Sequence, residues 1–170
     1  MKLYHGTNLD IKDIDLSKCR PYKDFGQGFY LTELKDQAMK MAMRVARIYS
    51  GSPVVNVYEI DDGFLKTDDL NIMDFGKNPT EKWAVFVMNN RSRTFKDISS
   101  LECNLDNKYD IVAGAVADDD MAMLFRQYQN ELIDFNTLIK GMTFKKVNSQ
   151  FSFHTERAIG LLRKVGVLYG

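Results

Sequence analysis

The pair Gly26-Gln27-Gly28 stands directly before an apolar run, Phe29-Tyr30-Leu31-Thr32, and not after one. A doubly wound dinucleotide-binding fold sets its Gly-x-Gly between a strand and the helix that follows, so that the helix N-terminus meets the phosphates. Here the glycines lead into a strand, and the helical pattern comes only after it. A chain built this way does not hold a nucleotide by the βαβ route. Alternation along the strand puts Phe29 and Leu31 on the core face and Tyr30 on the other.

The pattern around this run is mixed. Strands are expected over 2–5, 28–32, 54–60 and 150–154, with a buried strand opening the stretch 109–117 and a last one over 165–169. Residues 11–22 carry turn formers and alternating charge and are expected to be irregular. A helix is expected over 33–49, with Leu34, Ala38, Met41, Val45 and Ile48 as its apolar stripe, stopped by Gly51-Ser52-Pro53. A second is expected over 80–90, capped by Thr80, with Trp83, Phe86 and Val87 on one face. A second long helix should follow Asp118-Asp119-Asp120, its stripe running through Met121, Leu124, Phe125, Tyr128, Leu132, Phe135 and Ile139. A short helix should occupy 155–164. Residues 61–107 otherwise read only as packing. No repeat, low-complexity tract or linker divides the chain, so one α+β domain over 1–170 is expected.

Lys+Arg and Asp+Glu stand at 23 each. That balance argues against a strongly basic nucleic-acid binder. No apolar run is long enough to cross a bilayer, and Met1 to His5 lack the apolar core of a signal peptide. Cys19 and Cys103 are too few and too far apart for a disulfide framework or a zinc knuckle, which points to a reducing, cytoplasmic setting. Asp110 and the run Asp118-Asp119-Asp120 read as a cap and a solvated turn, and no metal is expected.

Three segments carry chemistry. They are Tyr4-His5-Gly6-Thr7, Asp24-Phe25-Gly26-Gln27-Gly28-Phe29-Tyr30-Leu31-Thr32 and Gln150-Phe151-Ser152-Phe153-His154-Thr155-Glu156. In this order they resemble the His-Tyr-Glu branch of the ADP-ribosyltransferases, the superfamily of diphtheria toxin and the poly(ADP-ribose) polymerases. They look most like a family of small bacterial ADP-ribosyltransferase-like proteins. The resemblance implies a split β-sandwich with flanking helices and a central cleft that takes NAD as substrate. It implies a mono-ADP-ribosyltransferase and the toxin of a toxin–antitoxin pair, with an antitoxin protein as partner. No basic stripe with interleaved aromatics stands out, which favours a protein acceptor over nucleic acid. An NAD glycohydrolase and a catalytically silent NAD-binding or interaction module are the alternatives.

The reaction breaks the bond between nicotinamide and ribose through a positively charged, oxocarbenium-like sugar. The protein must bury and bend the nicotinamide and set a hydrogen-bond acceptor beside the ribose. The resemblance assigns a ribose hydroxyl to His5 and the carboxamide to the backbone of Gly6. It assigns the nicotinamide ring to Tyr30, with Thr7 and Gly28 completing the binding segments. Gln37 and Ala38 fall, with a one-residue shift, where the family has a Ser-Ala at the cleft. Gln150 falls where the family has its catalytic glutamate, and it can accept a hydrogen bond without carrying a charge. His154 shares a face with Gln150 and Ser152 and is open to a cleft-lining or a structural role. Thr155-Glu156 reads as an N-cap followed by an acid in the first turn, so capping is preferred to catalysis for Glu156. Asn148 stands where the arginine-modifying branch has a second acid and gives no sign of arginine specificity.

Overall fold

The computed structural model describes residues 1–143 and 148–170. Among the described residues the elements are β1 (Lys2–Thr7), β2 (Phe29–Leu31), α1 (Lys35–Tyr49), β3 (Val54–Glu59), β4 (Ile72–Asp74), α2 (Glu81–Arg91), β5 (Ile111–Ala115), α3 (Asp119–Gln129), α4 (Phe135–Thr143), β6 (Ser149–Phe153), α5 (Glu156–Ile159) and β7 (Arg163–Tyr169). Short 3-10 turns lie at Leu16–Lys18 and Phe64–Lys66. The protein is therefore α+β, with two sheets. One has the order β1-β3-β7 and the other β2-β6-β5-β4. All pairings are antiparallel except β4 with β5. None of the described helices is long and apolar enough to cross a membrane.

The period-2 pattern fixes the faces of the second sheet. Phe29, Leu31, Ile111, Ala113, Phe151 and Phe153 share a buried cluster with Leu3 of β1 and Tyr58 of β3. This cluster is the apolar layer between the sheets. The other face of the second sheet carries Tyr30, Val112 and Ser152, in register across β2, β6 and β5. Over it pack Phe25, Trp83, Phe86, Val87, Met121 and Phe125. Thr80 caps α2 by accepting from the Trp83 amide at 3.2 Å, and the Trp83 indole donates to the Ala115 carbonyl at 3.2 Å.

Three expectations are corrected. The apolar stripe expected on 33–49 is the buried face only in part: Leu34, Met41 and Ile48 are exposed and Val45 is half-buried, whereas Ala38 of that stripe is buried together with Ala42 and Ala46. Backbone proximity decides this. A Cβ on Gly6 would stand 1.9 Å from the Ala38 carbonyl oxygen and 2.9 Å from the Ala42 nitrogen. The helix lies on β1 at a distance that only small side chains permit. The long helix after Asp118 is two helices, broken at Asn130, with Glu131 in the left-handed region at φ 58° and Leu132 exposed. Asp134 starts the second by accepting from the Thr137 amide at 2.7 Å, and Tyr128 meets Phe135 across the turn. Finally, α5 spans four residues, where 155–164 was expected, and β7 begins at Arg163. Strand β4, inside the stretch that read only as packing, is a three-residue edge paired in parallel with β5.

Candidate active site

Among the described residues the two sheets are joined by strand pairing at one place, the bridge between Tyr4 and Thr32. Tyr4 N–H donates to the Thr32 carbonyl at 2.8 Å, and Thr32 N–H donates back at 3.0 Å. In an antiparallel ladder the next such pair would be Gly6 with Tyr30. That pair does not form. The Tyr30 carbonyl instead meets Nδ1 of His5 at 2.7 Å. A carbonyl only accepts, so Nδ1 carries the proton there. Burial pushes the His5 pKa down, with Lys23 adding to the effect and the bond to Tyr30 opposing it. The imidazole is thus neutral at pH 7, with Nε2 left as an acceptor.

The consequence for Gly6 is direct. Backbone groups alternate between the two edges of a strand, so the N–H and C=O of Gly6 point to the same edge as those of Tyr4. Strand β2 takes up the groups of Tyr4 and not those of Gly6. A split opens between β1 and β2 with a donor and an acceptor of Gly6 backbone on its wall that have no partner across this edge among the described residues. Gly6 also serves packing, because α1 lies against it.

Tyr30 is half-buried on the side of β2 away from Phe29 and Leu31. Its hydroxyl donates to the Gly26 carbonyl at 2.8 Å and accepts from the Phe25 amide at 2.9 Å. The turn 24–28 therefore closes on the tip of the ring, and Gly26 permits this with φ +93°. Burial, reinforced by Asp24, holds the hydroxyl pKa well above its ordinary range, so it stays a donor. The His5 ring lies on the opposite side, stacked on Phe29 at 4.3 Å. Structure thus brings His5 to the carbonyl of Tyr30, not to its ring.

Gln150 is on the Tyr30 side. Extending the β2–β6 register by one residue sets it opposite Thr32, which faces Tyr4 in turn. At about 4.8 Å per strand, Gln150 and Tyr4 are roughly 10 Å apart across the sheet. The Gln150 amide nitrogen donates to Asp24 at 2.7 Å and to the Ala115 carbonyl at 3.3 Å. Asp24 is buried and fully engaged. One oxygen accepts from Arg91 Nε at 2.8 Å and Nη2 at 2.5 Å, and the other accepts from the Ala117 amide at 3.0 Å besides Gln150. Asp24 heads the second of the three segments but no role for it was legible in sequence, and Arg91 was not singled out, because their partners lie 67, 93 and 126 residues apart.

His154 shares the face of Tyr30, edge-on to its ring at 6.4 Å, but is buried. Nδ1 meets the Gln27 carbonyl at 2.8 Å and Nε2 meets Ser152 Oγ at 2.7 Å. Burial pushes its pKa down to about 4. A Cβ on Gly28 would stand 2.6 Å from Nδ1 of His154, so that glycine makes room for this ring. Thr7 ends β1 opposite Val54. Gln37 accepts from Thr32 Oγ1 at 3.0 Å. Thr155 caps α5, and Glu156 is exposed in its first turn, beyond the far end of β6 from Gln150. Asn148 is exposed, and its carbonyl accepts from the Val116 amide at 2.7 Å.

Two cavities lie elsewhere, about 520 Å³ at the α3–α4 turn and about 360 Å³ between Ile60, Phe64, Asp69 and Arg157. The split is an opened strand edge. No curated protein and no solved structure matches the chain. Residues 1–163 match the family described as a protein of unknown function, DUF3990, and the chain belongs to that family.

Proposed function

We propose that this protein is an NAD-consuming mono-ADP-ribosyltransferase whose nicotinamide seat is the split between β1 and β2. The observation that carries the reading is the substitution of His5 Nδ1 for Gly6 at the Tyr30 carbonyl. It leaves one donor and one acceptor of Gly6 backbone side by side, which is the pattern a carboxamide pairs with. The first two of the three segments meet at this edge, and Gln150 of the third lies on the Tyr30 side of the sheet, roughly 10 Å across it from Tyr4. The two sheets, of three and four strands, support an ADP-ribosyltransferase-like split sandwich.

In this mechanism Gly6 holds the carboxamide and Tyr30 lies against the ring. His5 Nε2 accepts from a ribose hydroxyl. The carbonyl oxygen of Gln150 accepts from another as the glycosidic bond breaks and positive charge develops on the sugar. Nicotinamide leaves with the bonding electron pair, and an acceptor nucleophile on a macromolecule completes the transfer. A cytoplasmic toxin restrained by an antitoxin protein, acting on a protein acceptor, is the setting that fits.

Labelled NAD incubated with the protein and a cell lysate tests this. Label on macromolecules together with free nicotinamide is expected, and neither appearing would sink it. Nicotinamide release without labelled macromolecule would select a glycohydrolase. The neutral amide at position 150 favours one further reading, a binding module without turnover. Calorimetry showing NAD binding with no nicotinamide released over hours would select that. Within the site, Gln150→Ala should abolish release and Glu156→Gln should leave most of it, with thermal melts confirming that both fold. The reverse result would assign the chemistry to Glu156.

A further inference from the structure

We infer that Asp24 is the positioning residue of this site: it grips Gln150 by the amide nitrogen and leaves only the amide oxygen to face a ligand. The inference rests on the NAD-split reading for its functional arm, but its structural arm stands alone. Both groups beside the Gln150 nitrogen, the Asp24 carboxylate and the Ala115 carbonyl, are acceptors. That fixes which end of the amide points where. Asp24 is itself held by Arg91 and by the Ala117 amide, so it cannot turn away. The position is built for a neutral side chain. A glutamate there would put two carboxylates at about the 2.7 Å separation now spanned by a hydrogen bond. Only one could ionise easily. The ionisable groups tied to Asp24 are Arg91 on α2 and Tyr30 on β2; His154 follows β6, four residues from Gln150, and His5, with Lys23 acting on it, stands across the split.

A double-mutant cycle tests this with Gln150→Glu, Asp24→Asn and the two combined. Gln150→Glu alone should lower kcat/KM for nicotinamide release at least tenfold at pH 7.5, with the loss shrinking toward pH 5.5. The combined variant should recover to within about threefold of wild type, because amide and carboxylate have exchanged places beside Arg91. Its pH profile should again match wild type. The Ala117 amide loses the same acceptor in both Asp24→Asn variants and cancels from the cycle. Unfolding midpoints across pH 5–8 give the arm that needs no activity. Gln150→Glu should melt lower as pH rises, and the combined variant should not. Additive effects in both readouts, or a Gln150→Glu variant with the wild-type pH profile, would overturn the inference. Wild-type protein that releases no nicotinamide while the melting cycle stays non-additive would overturn the NAD reading alone.

Discussion

His154 is where one residue couples most directly to pH. Its ring is buried between the Gln27 carbonyl and Ser152, and burial outweighs both that carbonyl and Asp110, bringing the pKa from 6.5 down to about 4. Between those values the unfolded chain binds a proton that the folded chain refuses. Stability from this residue is therefore complete above pH 6.5 and falls as pH drops toward about 4, by roughly 3 kcal/mol. His5 acts in the same direction, since burial lowers its pKa too. Unfolding free energy measured by denaturant between pH 4 and 7 should decline on the acid side. The part of the slope missing in His154→Gln is this residue's share. An unchanged slope in that variant would assign the acid sensitivity elsewhere. The sequence left His154 open between cleft and structure. Its ring shares the cleft face by strand parity, but its seat depends on Gly28 lacking a Cβ, which no pattern in the chain announces.

Strands and helices differ in how openly the chain declares them. Phe29 with Leu31, and Phe151 with Phe153, sort from Tyr30, Gln150 and Ser152 by parity alone, because each face of that sheet is buried by something. Helix α1 was legible in extent and not in orientation. Its large side chains mark an amphipathic pattern, yet contact with β1 is set by the closeness of Gly6, and that selects alanine. The two orientations predict opposite results. Ala42 is fully buried, so Ala42→Leu should cost about 1–3 kcal/mol by overpacking against β1. Met41 is 48% exposed, so Met41→Ala should stay within about 0.5 kcal/mol. Denaturation midpoints of the two variants check this, and a reversed order would mean that the large-residue stripe faces the sheet. The role of Asp24, and Arg91 and strand β4 altogether, stayed hidden for a different reason. Each is defined by partners far along the chain, and local spacing carries no trace of them.

At the scale of the molecule, the backbone does little to join the two sheets. The Tyr4–Thr32 bridge is their one point of strand pairing among the described residues. Cohesion comes from the apolar layer, where Leu3 and Tyr58 of the first sheet meet Phe29, Ile111, Phe151 and Phe153 of the second. This division of labour is what lets the ladder lapse at Gly6 and Tyr30 and leave a split at its edge, since the sheets are held from the other side. On this basis the two sheets should unfold as one cooperative unit. Leu3 is fully buried in that layer, and Leu3→Ala should cost about 3 kcal/mol through lost burial and the cavity left behind. If packing is the joint, that cost appears everywhere. Hydrogen exchange should show the opening free energy of amides in β5 and β6 falling by the same amount as in β1 and β3. Loss of protection confined to β1, β3 and β7, with β5 and β6 unchanged, would show that the sheets unfold separately.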